Sequence, residues 1–211
     1  RPRLKAQDLL IPGDISSAAF FLVAGLIVPG SELLIANVGI NPTRCGVIDV
    51  LRAMGGQIEL VNERLQSGEP VADLLVKHSN LRGIEIGGEL VPRAIDEFPV
   101  ISVAAAVAEG VTTVRDAAEL RVKETDRIAA MVSELSRLGV EVESLPDGMR
   151  INGRGEFAGG EVSSHGDHRI AMSLAMAALA ATGPVTIDDT SCTETSFPGF
   201  WRLLAGLCQG E

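Results

Sequence analysis

The sequence has no tyrosine, one tryptophan and only 3% aromatic residues. A core without large rings must be assembled from Ala, Val, Leu and Ile, which suits helices packed closely against sheets. Cysteine is scarce as well. Cys45, Cys192 and Cys208 are widely spaced, so neither metal-ligand spacing nor an even-numbered disulfide framework appears, and reduced thiols are expected. Basic charge is in deficit: Lys and Arg total 18 against 28 Asp and Glu, a formal net charge of -10. That argues against nucleic acid as a partner, because phosphate backbones are held by surplus cations. A small anionic substrate is still admissible, since a few cations can gather locally. No apolar run is long enough to span a bilayer; the longest covers residues 18–28 around Gly25, so no membrane partner is expected. Arg1, Arg3 and Lys5 are followed by Asp8, unlike a cleavable signal, and a cytoplasmic location is expected.

What is present is ordinary for a globular domain: 46% hydrophobic and 22% charged residues over 211 positions, enough to bury a real core. The order of segments repeats. Asp14, Asp96 and Asp167 each open a small-residue apolar run of helical length: ISSAAFFLVAGLIV, EFPVISVAAAVAEG and HRIAMSLAMAALAATG. Each run ends at a glycine, as helix C-termini prefer. A short strand-like segment follows each time: ELLIANV from Glu32, TTVRDA from Thr112 and VTIDDT around Thr186. A second helix is expected at residues 44–54, 124–138 and roughly 198–207. In the first two copies a glycine turn then leads to GGQIELV and GVEVES, with one more strand near residues 74–77 and 149–152.

Each copy therefore reads as strand, helix, strand, helix, strand, strand, and the third copy runs out of chain before its closing strands. Either that sheet stays short or strands from elsewhere complete it. The first helix of each copy is apolar all round and should be buried. The second is amphipathic: Ile128, Met131, Leu135 and Leu138 recur at helical spacing against Arg127, Ser133, Glu134 and Arg137. The expected fold is α/β, an inside-out, barrel-like domain of three βαβαββ repeats with helices buried and sheets outside. If the buried helices run in the same direction, their unpaired N–H groups and partial positive charges share one end, a natural anion site.

Three polar clusters interrupt the apolar sequence near those helix starts. AIDEFP holds Asp96; LRVKETDR holds Arg121, Lys123, Glu124, Asp126 and Arg127; GDHRIAM holds Asp167, His168 and Arg169. Taken singly, each has an ordinary structural reading. Asp96 could only cap a helix, and the acidic pair could complement a first-turn dipole. Taken together they favour a site. Arg127 and Arg169 can hold carboxylate or phosphate bidentately. A Lys, a Glu and an Asp around bound anions can supply a proton donor and a proton acceptor. Ser16 and Ser17 resemble an N-cap region more than a nucleophile.

LRVKETDR, GDHRIAM, IDEFP, PGDISSAAF and the late TSFP segment, in this order, resemble the 5-enolpyruvylshikimate-3-phosphate synthase family over essentially the whole chain. The resemblance implies a two-domain enolpyruvyl transferase of which residues 1–211 form a single C-terminal domain, the N-terminal domain being absent. The implied partners are phosphoenolpyruvate, shikimate 3-phosphate and that N-terminal domain, with no metal or organic cofactor. By the same resemblance Asp96 is the base at the sugar hydroxyl, Lys123 lies near the reacting oxygen and phosphate, and Glu124 transfers a proton at the methylene carbon. Arg127 and Arg169 clamp phosphoenolpyruvate, with His168 beside them. Inhibition by glyphosate is typical of the family, but Thr195 and Ser196 stand where many members carry a lysine before the FP of the late motif, a form some glyphosate-tolerant members share. The lysine–serine–arginine segment and the serine-rich loop of the other domain are absent, so an isolated half is expected to be inactive. UDP-N-acetylglucosamine enolpyruvyl transferase is the nearest enzymatic alternative, typically dependent on a reactive loop cysteine. A non-catalytic half of a split protein is the other.

Overall fold

A computed structural model of the chain describes residues 5, 6 and 8–208; Arg1 and Arg3 lie outside the described residues. The first unit runs α1 (Ile15–Ile27), β1 (Glu32–Gly39), α2 (Gly46–Ala53), β2 (Gln57–Gln66) and β3 (Glu69–Lys77). The second runs β4 (Glu85–Ile86), α3 (Leu90–Ala94), α4 (Phe98–Val107), β5 (Gly110–Val114), α5 (Arg127–Arg137), β6 (Glu141–Leu145) and β7 (Gly148–Gly153). The third has β8 (Gly160–Val162), α6 (His168–Ala178), β9 (Val185–Ile187) and α7 (Phe200–Cys208). Short 3-10 turns at Ala118–Val122 and Ser191–Thr195 precede α5 and α7.

The sheets repeat along with the elements. The four-stranded sheet has the order β4-β5-β7-β6, with β4 parallel to β5 and the other pairs antiparallel. The first sheet is β1-β3-β2, and its leading strand shrinks to a parallel bridge between Gly13 and Val38. Among the described residues the third keeps only the parallel pair β8-β9, the shorter of the two alternatives left open for the third copy.

The three all-apolar runs become α1, α4 and α6, which pack pairwise on one another. Apart from Ser17 and Val107, every residue of α1 and α4 is buried. Alanines at 104, 105, 106, 171, 175 and 177 bring these helices close, and all are buried. Gly25 serves the same purpose: a Cβ there would lie 2.7 Å from Val76 Cγ1 of β3. The few aromatics gather rather than scatter. Phe20 and Phe21 of α1 meet Phe200 of α7, Phe21 also meets Phe197, and Phe200 in turn meets Phe197 and Trp201, with ring centroids 5.1–6.1 Å apart, joining the first and third units. Among the described residues, no helix is long and apolar enough to cross a membrane.

Two expectations need correction. The second helix of the middle unit starts at Arg127, not Glu124, because the Asp126 carboxylate accepts from Ala129 N and caps it there. Residues 123–125 are loop. Arg127 and Glu134, assigned above to the polar face of this helix, are each 1% exposed. Both are buried because both are bonded on all sides.

Candidate anion site at the helix starts

The first turns of the three buried helices share one end of the domain, as three contacts attest. Ser16 of α1 donates its hydroxyl to Glu97, the N-cap residue of α4. Arg169 of α6 donates from Nη1 to the Asp96 carbonyl at 3.2 Å and lies 3.7 Å from Glu97 Oε1. Asp167 caps α6, accepting from the Arg169 and Ile170 amides. Helix N-termini brought together this way add partial positive charge in one place.

Arg127 sits at the centre. Its Nε donates to Asp167 Oδ2 at 2.8 Å, its Nη1 to Asp96 Oδ1 at 3.2 Å and its Nη2 to Glu124 Oε2 at 2.6 Å. The side chains of Arg127 and Asp167 are 1% and 0% exposed, so this is a buried pair whose every lone pair must be satisfied to be tolerated. Lys123 Nζ lies 3.5 Å from Asp96 Oδ1 and 2.9 Å from Glu119 Oε1. Arg169 Nη2 is 3.8 Å from Asp96 Oδ2. Three cations thus converge on Asp96, and they come from two different units.

The electrostatics follow. Burial works to raise the Asp96 pKa, but Arg169, Lys123 and Arg127 outweigh it and hold the carboxyl below its ordinary value. The Glu119 carboxylate beside Lys123 pushes the ammonium up, against partial burial and with help from Asp96. Burial pushes His168, the first residue of α6, below its ordinary value, which favours the neutral ring. Glu97 is shifted upward by burial against the hydrogen bond from Ser16.

All six residues singled out from the sequence therefore stand at this end: Asp96, Lys123, Glu124, Arg127, His168 and Arg169. Arg121, part of the same charged motif, does not join them. Its guanidinium is spent on Pro146 O, Leu145 O, Ser144 and Asp126, which pins the loop to β6. Sequence reasoning missed Asp167 as the buried partner of Arg127 and Glu97 as a buried carboxylate. It also missed Arg44, whose Nη2 donates to Ser16 Oγ at 3.0 Å. No sequence signal pointed to Asp167, because helical periodicity places Arg127 on a solvated face and only the fold buries it. A cavity of about 590 Å³ lies at the opposite helix ends, lined by Ile27, Val107 and Arg82 among others, and none of the charged cluster reaches it.

The chain is an α/β protein of repeated units in which helix starts, arginines and a lysine surround an aspartate, an arrangement suited to small multiply charged ligands. A family model described as EPSP synthase (3-phosphoshikimate 1-carboxyvinyltransferase) matches residues 1–204, and the chain belongs to that family. It is 68% identical over 200 residues to a 3-phosphoshikimate 1-carboxyvinyltransferase of Syntrophotalea carbinolica, covering 95% of this chain and 46% of that protein. Its identity to the Geobacter sulfurreducens protein of the same name is 64% over 201 residues, 95% of this chain and 47% of that one. An EPSP synthase structure from Acinetobacter baumannii superposes with a TM-score of 0.92 at 48% identity, covering 94% of this chain and 46% of that chain. The enolpyruvyl transferase NikO from Streptomyces tendae, at 20% identity and a TM-score of 0.65 over 92% of this chain and 42% of that one, shares the fold. The chain spans about half the length of the curated relatives it matches.

Proposed function

We propose that this chain is the C-terminal half of an enolpyruvyl transferase and supplies about half of an interdomain cleft where phosphoenolpyruvate meets shikimate 3-phosphate. The observation that carries the reading is the convergence of Lys123, Arg127 and Arg169 on Asp96. Carboxylates already answer these cations. An incoming ligand must therefore compete with Glu124, which is 53% exposed, rather than with Asp167, which is fully buried. A dianion competes better than a monoanion, which fits a phosphate ester of a carboxylic acid.

The roles that the family resemblance implies fit that exchange. Arg127 and Arg169 hold the carboxylate and phosphate of phosphoenolpyruvate. When those anions occupy the cations, Asp96 loses the charges that keep its pKa low and becomes a better base for the 5-hydroxyl of the sugar phosphate. Lys123 neutralises the oxygen and phosphate at the reacting centre. Glu124, displaced from Arg127, delivers a proton to the methylene carbon as the hydroxyl oxygen adds to the neighbouring carbon. Loss of that proton with the phosphate then restores the double bond and releases inorganic phosphate. His168 stands beside these residues, its burial favouring the neutral ring. Donors from a second domain are needed to close over the ligands and exclude water.

The cysteine-dependent alternative, a UDP-N-acetylglucosamine enolpyruvyl transferase, finds less support. Burial, followed by Asp49, pushes the Cys45 thiol up to about 11, and burial likewise raises Cys192; neither is a ready thiolate. The test is complementation. The chain is assayed for phosphate release with both substrates, alone and after mixing with an N-terminal domain from the family. Activity only in the mixture, lost on Asp96→Asn, is the expected result. Strong activity from the chain alone sinks the half-cleft reading, and an inert mixture with ordered, folded partners favours a non-catalytic half.

A further inference from the structure

The geometry points to Arg44 as a third anion-binding guanidinium of this mouth, tied to Arg169 through Ser16 and Glu97 and contributed by the first unit. The inference rests on the anion-handling reading above and adds to it a residue and a second attachment point for the ligand. In the middle unit, the segment between β5 and α5 carries Lys123 and Glu124 and ends at Arg127. The corresponding segment of the first unit, between β1 and α2, carries Arg44. The repeat thus brings Arg44 to the start of α1, as it brings Arg127 to the start of α4.

The contacts run in one line. Arg44 Nη2 donates to Ser16 Oγ at 3.0 Å. The Ser16 hydroxyl donates in turn to Glu97 Oε1, and the same oxygen lies 3.7 Å from Arg169 Nη1. Two buried residues, Ser16 at 3% and Glu97 at 4% exposure, therefore join a half-exposed guanidinium to one already beside Asp96. Burying a carboxylate is costly unless it is fully bonded. Its retention next to Asp96 is consistent with a positioning task, and its upward pKa shift from burial accords with that.

Arg44 differs from the arginines that serve only the fold. Arg93 donates to Pro42 O at 2.8 Å and to Asp49 at 2.6 Å, and Arg52 donates from two nitrogens to Ile58 O. Arg44 Nε and Nη1 make no hydrogen bond to any described residue, and the side chain is 55% exposed. Among the described residues its salt-bridge partner is Asp14, at 3.7 Å and itself 53% exposed. That carboxylate is also committed to capping α1 through Ser17 N. An exposed pair this long contributes little, so an anionic ligand displaces Asp14 at small cost. The ligand class is a small molecule with two anionic groups, one held at Arg169 and the other at Arg44.

The test follows the arginine side-chain N–H signals of the chain by NMR while inorganic phosphate is added to tens of millimolar. The expected result is that the Arg44 and Arg169 Nε–H signals both move with one midpoint. Arg44→Gln should then weaken phosphate binding about fivefold without unfolding the chain, and Ser16→Ala should uncouple the two signals. Movement at Arg169 with Arg44 unmoved overturns this inference and leaves the site reading intact. Movement at neither, or binding indifferent to Arg169→Gln, overturns both.

Discussion

Asp14 and Asp96 stand at the same place in successive repeats, and the domain uses them differently. Asp14 is the N-cap of α1; its side chain accepts from Ser17 N at 3.0 Å, and among the described residues its ion pair, with Arg44, is long and exposed. Asp96 caps nothing. Glu97 intervenes as the N-cap residue of α4, so the Asp96 carboxylate is released toward Lys123, Arg127 and Arg169. In the third unit, Asp167 does both: one oxygen caps α6 and the other holds Arg127. A single residue between the aspartate and its helix turns a structural cap into a group surrounded by cations.

The largest expected effect sharpens that comparison at the arginines. Arg127→Met leaves Asp167 buried without its partner and should destabilise the chain by about 3–5 kcal/mol in urea unfolding. Arg44→Gln, at the matching exposed pair of the first unit, should cost less than about 1 kcal/mol. Equal losses would mean that burial does not separate the two units. Next in size, Asp14→Ala removes a cap and should cost about 1 kcal/mol.

Asp96→Asn should behave differently, with a loss that depends on pH. A carboxyl whose folded pKa is depressed stabilises the native state above its unfolded value, about 4, and that contribution disappears as pH falls through the folded value. The difference between wild type and Asp96→Asn should be greatest near neutrality and shrink below about pH 4. The smallest effect has the opposite sign. Glu97 has a raised pKa, so its burial costs stability as pH rises from the ordinary carboxylate value through the folded one. Glu97→Gln should match or exceed wild-type stability at pH 7 and converge with it below about pH 4. A clear loss at pH 7 would show that the carboxylate serves the fold.

The buried helices were legible because an all-apolar, alanine-rich run of helical length has few alternatives, and the repeat was legible because those runs recur. The leading strands were not. β4 is only Glu85–Ile86, too short to display alternation, and its counterpart in the first unit is a single bridge at Gly13. The six charged residues were legible because they interrupt apolar sequence. Their wiring was not, because periodicity assigns Arg127 and Glu134 to a solvated face. Only the long-range partners Asp167, Asp96, Ser163 and His165 explain why both are buried. Arg44 lay outside every charged motif, and only the fold brings it to Ser16.

The account stands most directly on the state of one carboxyl. The Asp96 side-chain carbon should be followed by NMR across acidic pH, first in the free chain and then with saturating inorganic phosphate. The predicted titration midpoint lies below the ordinary carboxylate range in the free chain and moves upward when phosphate occupies the surrounding cations. A midpoint in the ordinary range, or one that phosphate leaves unmoved, would contradict it.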